Sequence, residues 1–101
     1  MYEVFDSDEM KLILDRCDGA ERLWIEKMRR QIAQEPTGKI LHFSWFREKK
    51  LRNKRLYFLI DESTRRVFLL TFQDKKAQEA VIRFVVENMT ALFTHLRSFQ
   101  K

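Results

Sequence analysis

Glycine, proline and cysteine are all scarce in this chain of 101 residues, which has two glycines, one proline and one cysteine. So few breaking residues exclude collagen and low-complexity sequence, and a hydrophobic content of 45% excludes a disordered chain. The single cysteine, Cys17, has no partner for an internal disulfide, which favours a reducing compartment. The length is that of one domain over residues 1–101 and excludes a multidomain enzyme.

Long apolar runs are absent as well. No window approaches the roughly 20 consecutive apolar residues that a membrane helix needs. The first residues also lack the basic and apolar leader of a secreted protein. We therefore expect a cytoplasmic protein without a membrane partner.

The residue patterns of most metal and nucleotide sites are missing too. Cys17, His42 and His95 are isolated in the sequence, so there is no zinc-ligand spacing, and the two glycines do not form a phosphate-binding loop. Cys17 falls among the apolar positions of a predicted helix, which favours a structural thiol over a nucleophile. The sequence predicts neither a metal site nor a cofactor.

Positive charge is concentrated in one segment of the chain. The formal net charge is +5, from 20 lysines and arginines against 15 acidic residues. The nine residues 47–55 contain six bases and one acid, a net of +5, so the remaining residues balance to zero. Such a localised basic patch favours a polyanionic partner, and a solvated basic loop is the alternative.

Hydrophobic spacing predicts a helical first half. A short strand at Tyr2–Phe5 precedes a helix for which Asp6 offers the N-cap, and Asp18-Gly19 separates this helix from a second one. The second helix ends at Pro36-Thr37-Gly38. The front of the chain is therefore predicted to be a strand followed by a helical hairpin.

The second half changes to strand patterns and ends in a long helix from Lys76 to Arg97. The last two predicted strands are joined by a short polar turn and form an antiparallel pair. We predict an α+β domain whose helices pack against one face of an antiparallel sheet, with the basic segment in the loop between the first two strands of this half. The three predicted strands are Ile40–Phe46, Arg55–Asp61 and Arg66–Gln73.

A basic surface with interleaved aromatic residues suits RNA, because lysines and arginines contact phosphates while Tyr57 can stack on an unpaired base. RNA cleavage needs no metal, since the 2′-hydroxyl is the nucleophile and cations stabilise the charge that develops on the phosphate. Positive neighbours lower the pKa of a lysine, which lets it transfer a proton nearer neutral pH. His42 is a second candidate for proton transfer, and a hydrogen-bonded strand histidine is its alternative reading.

Two segments resemble a known family. They are Lys54-Arg55-Leu56-Tyr57-Phe58-Leu59-Ile60-Asp61 and Arg66-Val67-Phe68-Leu69-Leu70-Thr71-Phe72-Gln73-Asp74-Lys75-Lys76-Ala77-Gln78. They resemble the RelE/ParE toxin superfamily and are most similar to its phage-derived HigB-like branch. That branch has a strand Arg-x-x-Tyr-Phe, an acidic turn, and a strand ending Leu-Leu-x-x-Phe-x-Lys-Lys-x-x-Gln, from which this chain differs by one residue in each pattern.

The resemblance implies a RelE-like fold and a toxin of a toxin–antitoxin pair. Such a toxin is a metal-free endoribonuclease that cleaves messenger RNA at the ribosome and is neutralised by an antitoxin protein. Together with the reasoning on proton transfer, the resemblance gives four candidate catalytic residues, Arg55, Lys75, Lys76 and His42. The candidate RNA-binding residues are Lys49, Lys50, Arg52, Lys54 and Tyr57.

Two other functions stay open. RelE-type enzymes have a tyrosine near the final segment that assists catalysis, whereas alignment places Ile82 there. The chain is then either a non-catalytic module that binds RNA or a protein through the same patch, or a ParE-like inhibitor of DNA gyrase. The long final helix also leaves open a homodimer formed through its apolar face.

Overall fold

The computed structural model describes residues 1–100, which form one mixed sheet and three α-helices. The sheet order is β1-β5-β4-β3-β2, in which β1 is parallel to β5 and the other neighbours are antiparallel. The elements are β1 (Glu3–Asp6), α1 (Asp8–Arg16), α2 (Gly19–Gln34), β2 (Lys39–Leu41), β3 (Phe43–Leu51), β4 (Lys54–Asp61), β5 (Arg66–Asp74), a 3-10 turn (Lys75–Ala77) and α3 (Gln78–Ser98). The predicted α+β class and element order are confirmed, and the parallel first strand makes the sheet mixed.

Side-chain caps determine where the first two helices begin. Ser7 Oγ accepts the main-chain N–H three residues further on at 2.9 Å, so Ser7 and not Asp6 is the N-cap of α1. Asp6 instead ends β1 and pairs with Arg29 of α2 at 3.0 Å. Asp18 and Glu21 form a reciprocal capping box at the start of α2. The helical hairpin is confirmed, with its first cap one residue later than predicted.

Helices cover both faces of the sheet, which corrects the expectation of a single covered face. Leu56 and Phe58 of β4 belong to the apolar cluster under α1 and α2, whereas Leu59 belongs to the cluster under α3. β4 is therefore buried along its length from Arg55 to Asp61. A strand covered on both faces is apolar nearly throughout, and the apolar run of β4 was the sequence signal for a second covered face. Within residues 1–100, no helix is long and apolar enough to cross a membrane.

The basic segment lies mostly on strands and not in a loop, which is a second correction. The apolar run predicted as one strand is interrupted at His42, where φ is 64°. β3 then continues to Leu51, and only residues 52–53 turn before β4 begins. Lys50 lies directly opposite Arg55 in the antiparallel pair. Because successive strand side chains point to opposite faces, the basic segment distributes its charges over both sides of the sheet.

Charged groups hold the C-terminal end of α3 against the β4–β5 hairpin. Arg66 Nη1 donates to main-chain carbonyls at the end of α3, at 2.9–3.3 Å. Arg97 Nε donates to the buried carboxylate of Asp61 at 2.8 Å, and two hydroxyls of the hairpin turn donate to the same carboxylate. The Arg97 hydrogen bond, helped by these hydroxyls, holds the pKa of Asp61 well below its usual range.

Asp61→Asn is expected to lower the free energy of unfolding by about 1–2 kcal/mol at pH 7, a value kept small because Arg97 is half exposed and the pair is screened. The unfolded carboxyl titrates at about pH 4, above the folded one, so the unfolded state takes up the proton first as the pH falls. The stabilisation by the ionised Asp61 carboxylate is therefore complete above about pH 4 and is lost in more acid solution. Urea denaturation at pH 7 and pH 3 measures it, with the exposed Asp15→Asn as control; an Asp61→Asn deficit that is equal at both pH values contradicts the assignment.

Candidate nucleic-acid interface

A cleft of about 620 Å³ lies where β3 extends beyond the first residue of β2. The last β2–β3 pair in this direction is Lys39 with Glu48, and β3 runs on to Leu51. Trp24 and Met28 of α2 line the cleft from one face of the sheet. The charged lining consists of five cationic side chains and one carboxylate: Lys39, Lys49, Lys50, Arg55, Lys75 and Glu48.

The turn after β5 brings Lys75 to this cleft. Lys75 N–H donates to the main-chain carbonyl of Asn53 in the β3–β4 turn at 2.7 Å. Asn53 Nδ2 donates to Asp74 Oδ2 at 3.1 Å, and Asp74 Oδ1 accepts the N–H of Lys76 at 2.9 Å and so caps the 3-10 turn. Asn53 and Asp74, which are more than 20 positions apart in sequence, are thereby fixed side by side. Lys75, the cation after β5, therefore lies near the cations of β3 and β4.

Arg55 and Glu48 form the buried part of the cleft, with exposed fractions of 6% and 5%. Arg55 Nε lies 3.8 Å from Glu48 Oε2, and Arg55 Nη1 donates to the carbonyls of Arg52 and Lys54 at 3.0 and 3.1 Å. Glu48 Oε2 also accepts Gln78 Nε2 at 2.9 Å. These contacts engage Nη1 and Nε and fix the direction of the guanidinium, so Nη2 is the nitrogen suited to donate to a phosphate oxygen.

Lys49 is a cation of the cleft whose proton affinity is perturbed. Burial lowers the pKa of the Lys49 ammonium. The sequence suggested that clustered charges would lower the pKa of a lysine, whereas at Lys49 the cause is desolvation. A lysine with a lowered pKa exchanges a proton nearer neutral pH, so this side chain is suited to proton transfer.

Three of the predicted basic residues lie outside the cleft lining. Lys54 Nζ pairs with Glu21 of α2 and sits 5.4 Å from the centre of the Phe72 ring, so it joins the hairpin to α2. Arg52 is exposed in the turn with φ at 56°, and Lys76 is exposed in the 3-10 turn. The structure therefore brings together Lys49, Lys50, Arg55 and Lys75 and leaves these three apart.

His42 lies at the tip between β2 and β3, exposed and with its ring 4.6 Å from that of Phe43. Glu48 lies six positions further along the chain, a span of about 20 Å in a strand. Proton transfer by His42 stays a prediction, and it is not connected with the cleft.

Tyr57 is fully buried, which corrects the expectation that it stacks on RNA. It points into the cluster under α3, with its ring centre 6.4 Å from that of Phe46. Burial, and after it the charge of Glu48, raises the pKa of Tyr57 to about 12. Among residues 1–100 its hydroxyl has no hydrogen-bond partner. A central strand covered on both faces has no room for a ligand at this position.

The sequence reasoning missed Lys39, Trp24 and the Glu48–Gln78 pair. Glu48 is the single acid in the basic segment, and this was the one local signal for a carboxylate among the cations. The other residues come from β2, α2 and α3, and no sequence spacing relates them to the segment.

Gly38→Ala is expected to lower the free energy of unfolding by about 1–3 kcal/mol, because the main chain of β3 and the ring of Phe58 leave no room for a Cβ there. A Cβ on Gly38 would lie 2.7 Å from the main-chain oxygen of Glu48 and 3.1 Å from Phe58 Cζ. Gly19→Ala is the matched control, since no atom lies within 4 Å of its Cβ position and alanine is well tolerated at this first residue of α2. Urea denaturation compares the two, and equal stability would contradict the close approach.

Protein-family models and curated protein sequences contain no match to this chain. Solved structures do match it. The isolated RelE toxin of E. coli has a TM-score of 0.66 at 17% identity, covering 83% of this chain and 99% of that one. A RelBE toxin–antitoxin complex from Mycobacterium tuberculosis has a TM-score of 0.63 at 18% identity, covering 72% and 96%. The intact E. coli RelBE complex has a TM-score of 0.66 at 15% identity, covering 73% and 96%.

The chain therefore has a RelE-like fold, as the resemblance of its two segments implied. At identities below 20% the likeness concerns the fold. Similarity to the HigB-like branch stays a prediction.

Proposed function

We propose that the protein is the toxin of a toxin–antitoxin pair and that it cleaves messenger RNA at the ribosome, in the cytoplasm and without a metal. The observation that carries the proposal is the cleft, in which five cationic side chains surround one carboxylate on a RelE-like fold. RNA is the polyanion that such a site fits. Negative charge grows on the phosphate during cleavage, and fixed cations stabilise that charge.

The proposed reaction uses the 2′-hydroxyl of the RNA as nucleophile. Lys49, whose pKa is lowered by burial, is the group that we assign to accept the hydroxyl proton. The 2′-oxygen bonds to phosphorus, the bond from phosphorus to the 5′-oxygen breaks, and Lys75 donates a proton to the leaving oxygen. Arg55 donates from Nη2 to a non-bridging oxygen, while the two carbonyls on Nη1 and Glu48 beside Nε keep the guanidinium oriented. The products are a 2′,3′-cyclic phosphate and a 5′-hydroxyl.

We further propose that an antitoxin protein neutralises the protein by covering this cleft. Two kinds of observation support the partner. Three of the matched solved structures contain a toxin bound to an antitoxin protein or peptide. The cations of the cleft also fit the carboxylates of an acidic peptide as well as they fit phosphate.

Primer extension on a messenger RNA in a cell-free translation system tests the proposal directly. Purified protein is expected to produce cuts that follow the codon phase, and omission of ribosomes is expected to remove them. No cuts at any protein concentration would contradict the endoribonuclease.

A non-catalytic RelE-fold binding module is the second candidate, and one observation favours it. Neither tyrosine of the chain lies in the cleft, because Tyr57 is buried and Tyr2 pairs with Glu62. Ile82, at the position where alignment expects a tyrosine, packs against the cluster under α3. Such a module binds the same RNA, leaves it intact, and does not arrest growth when the protein is expressed alone.

A further inference from the structure

The basic cleft has an aromatic wall that the proposed chemistry does not use. Trp24 and Met28 of α2 line it together with the cations of β3 and β4. Trp24 is half-buried, and its ring centre lies 5.8 Å from that of Phe72, which supports it from the side of the core. The indole is therefore held in place from behind while part of it faces the cleft.

The cleft extends to Trp24 because the edge strand β2 is shorter than β3 and leaves part of β3 uncovered. β2 begins only at Lys39, opposite Glu48, while β3 runs on to Leu51, so β2 does not cover the edge of β3 beside Lys49. Gly38, which lines the same cleft, has no side chain that would fill the gap. Consequently Trp24 from the α2 face and Arg55 from the α3 face border a single cavity.

We propose that Trp24 is a stacking platform for one unpaired base of an RNA strand whose phosphates bind the cations of the cleft. The inference rests on the proposed binding of RNA at this cleft and adds a subsite for a base. A flat indole beside fixed cations is the arrangement that single-stranded nucleic acid recognises, since the cations contact the backbone and the ring contacts a base. Stacking on an aromatic face tolerates every base, so the subsite recognises single-strandedness more than sequence.

Tryptophan fluorescence tests the subsite, because the chain has two tryptophans. Trp45 is the matched control: it lies on β3 with its ring stacked 4.6 Å from Phe43, and it does not line the cleft. The variant Trp45→Phe leaves Trp24 as the sole reporter, and Trp24→Phe leaves Trp45. Each protein is titrated with a short single-stranded oligoribonucleotide and with an abasic strand of the same length.

We expect the oligoribonucleotide to quench Trp24 emission, the abasic strand to bind without this quenching, and Trp45 emission to change with neither. Trp24→Leu is expected to weaken binding of the oligoribonucleotide about tenfold and that of the abasic strand less than about twofold. Trp24→Tyr keeps an aromatic face and should restore most of the affinity, which separates stacking from a loss of packing.

Three outcomes overturn the subsite. Equal quenching by both strands would show that Trp24 senses only phosphate binding nearby. An equal loss of affinity for both strands in Trp24→Leu, without recovery in Trp24→Tyr, would assign Trp24 to the packing of α2. Failure of both strands to bind the unsubstituted protein would overturn RNA binding at the cleft itself, and with it the proposed function.

Discussion

Arg55→Ala is expected to reduce cleavage of messenger RNA by about 10²–10³-fold, the usual cost of removing one preorganised donor to a developing negative charge. Affinity for the RNA should fall by less than about tenfold, because the four lysines of the cleft remain. The reason for the difference is the geometry at Arg55. Two carbonyls and Glu48 hold the guanidinium in place before any substrate arrives. Its hydrogen bond to the phosphate is therefore strongest in the transition state, when negative charge develops on the phosphate oxygens.

Primer extension in the cell-free translation system, with the unsubstituted protein in parallel, measures this loss. Arg55→Lys keeps the charge without the planar fork and is expected to remain nearly inactive. Arg52→Ala, in the exposed turn beside it, should cut normally. Undiminished cleavage by Arg55→Ala would remove this arginine from the site.

The buried partner of Arg55 calls for a separate control of folding. Removing Arg55 leaves the carboxylate of Glu48 buried with Gln78 as its hydrogen-bond partner, an arrangement that destabilises proteins. The double variant Arg55→Ala with Glu48→Gln removes both the guanidinium and the carboxylate, so no buried charge is without a partner of opposite charge. If the double variant unfolds in urea like the original protein and still does not cut RNA, the loss belongs to the chemistry and not to the fold.

Simultaneous replacement of the four cleft lysines by alanine is expected to give the largest change in RNA binding. Each phosphate contact with single-stranded RNA contributes about 0.7 to the slope of log affinity against log salt, so four contacts contribute about 3. At 0.1 M salt the affinity should accordingly fall by about 10²–10³-fold. Fluorescence anisotropy of a labelled oligoribonucleotide at several salt concentrations measures both quantities. The four lysines are Lys39, Lys49, Lys50 and Lys75.

A control of equal charge is available on the helical hairpin. Four exposed cations of α1 and α2 can be replaced by alanine, which gives the same change in net charge at another surface. If both quadruple variants lose the same affinity and slope, binding depends on total charge, and the cleft is not an RNA site. The control residues are Lys11, Arg22, Lys27 and Arg30.

The comparison of the basic segment with its structure shows where sequence reasoning reached its limit. Charge counting located the segment and thereby Lys49, Lys50 and Arg55, which all line the cleft. Charge counting did not show that Lys54, which pairs with Glu21 of α2, lies outside the cleft. Adjacent residues on a strand point to opposite faces, and the partner on each face comes from a distant part of the chain.

The sequence by itself determined the class of the fold and the order of its elements, because caps, breakers and hydrophobic spacing are local properties that neighbouring residues express without the rest of the chain. It also determined that positive charge is concentrated in one segment. Tertiary structure alone decided which helices cover each face of the sheet and that Tyr57 is buried under α3. It also decided which cations share one cleft with Trp24, since strand register and helix packing are set by contacts between distant residues.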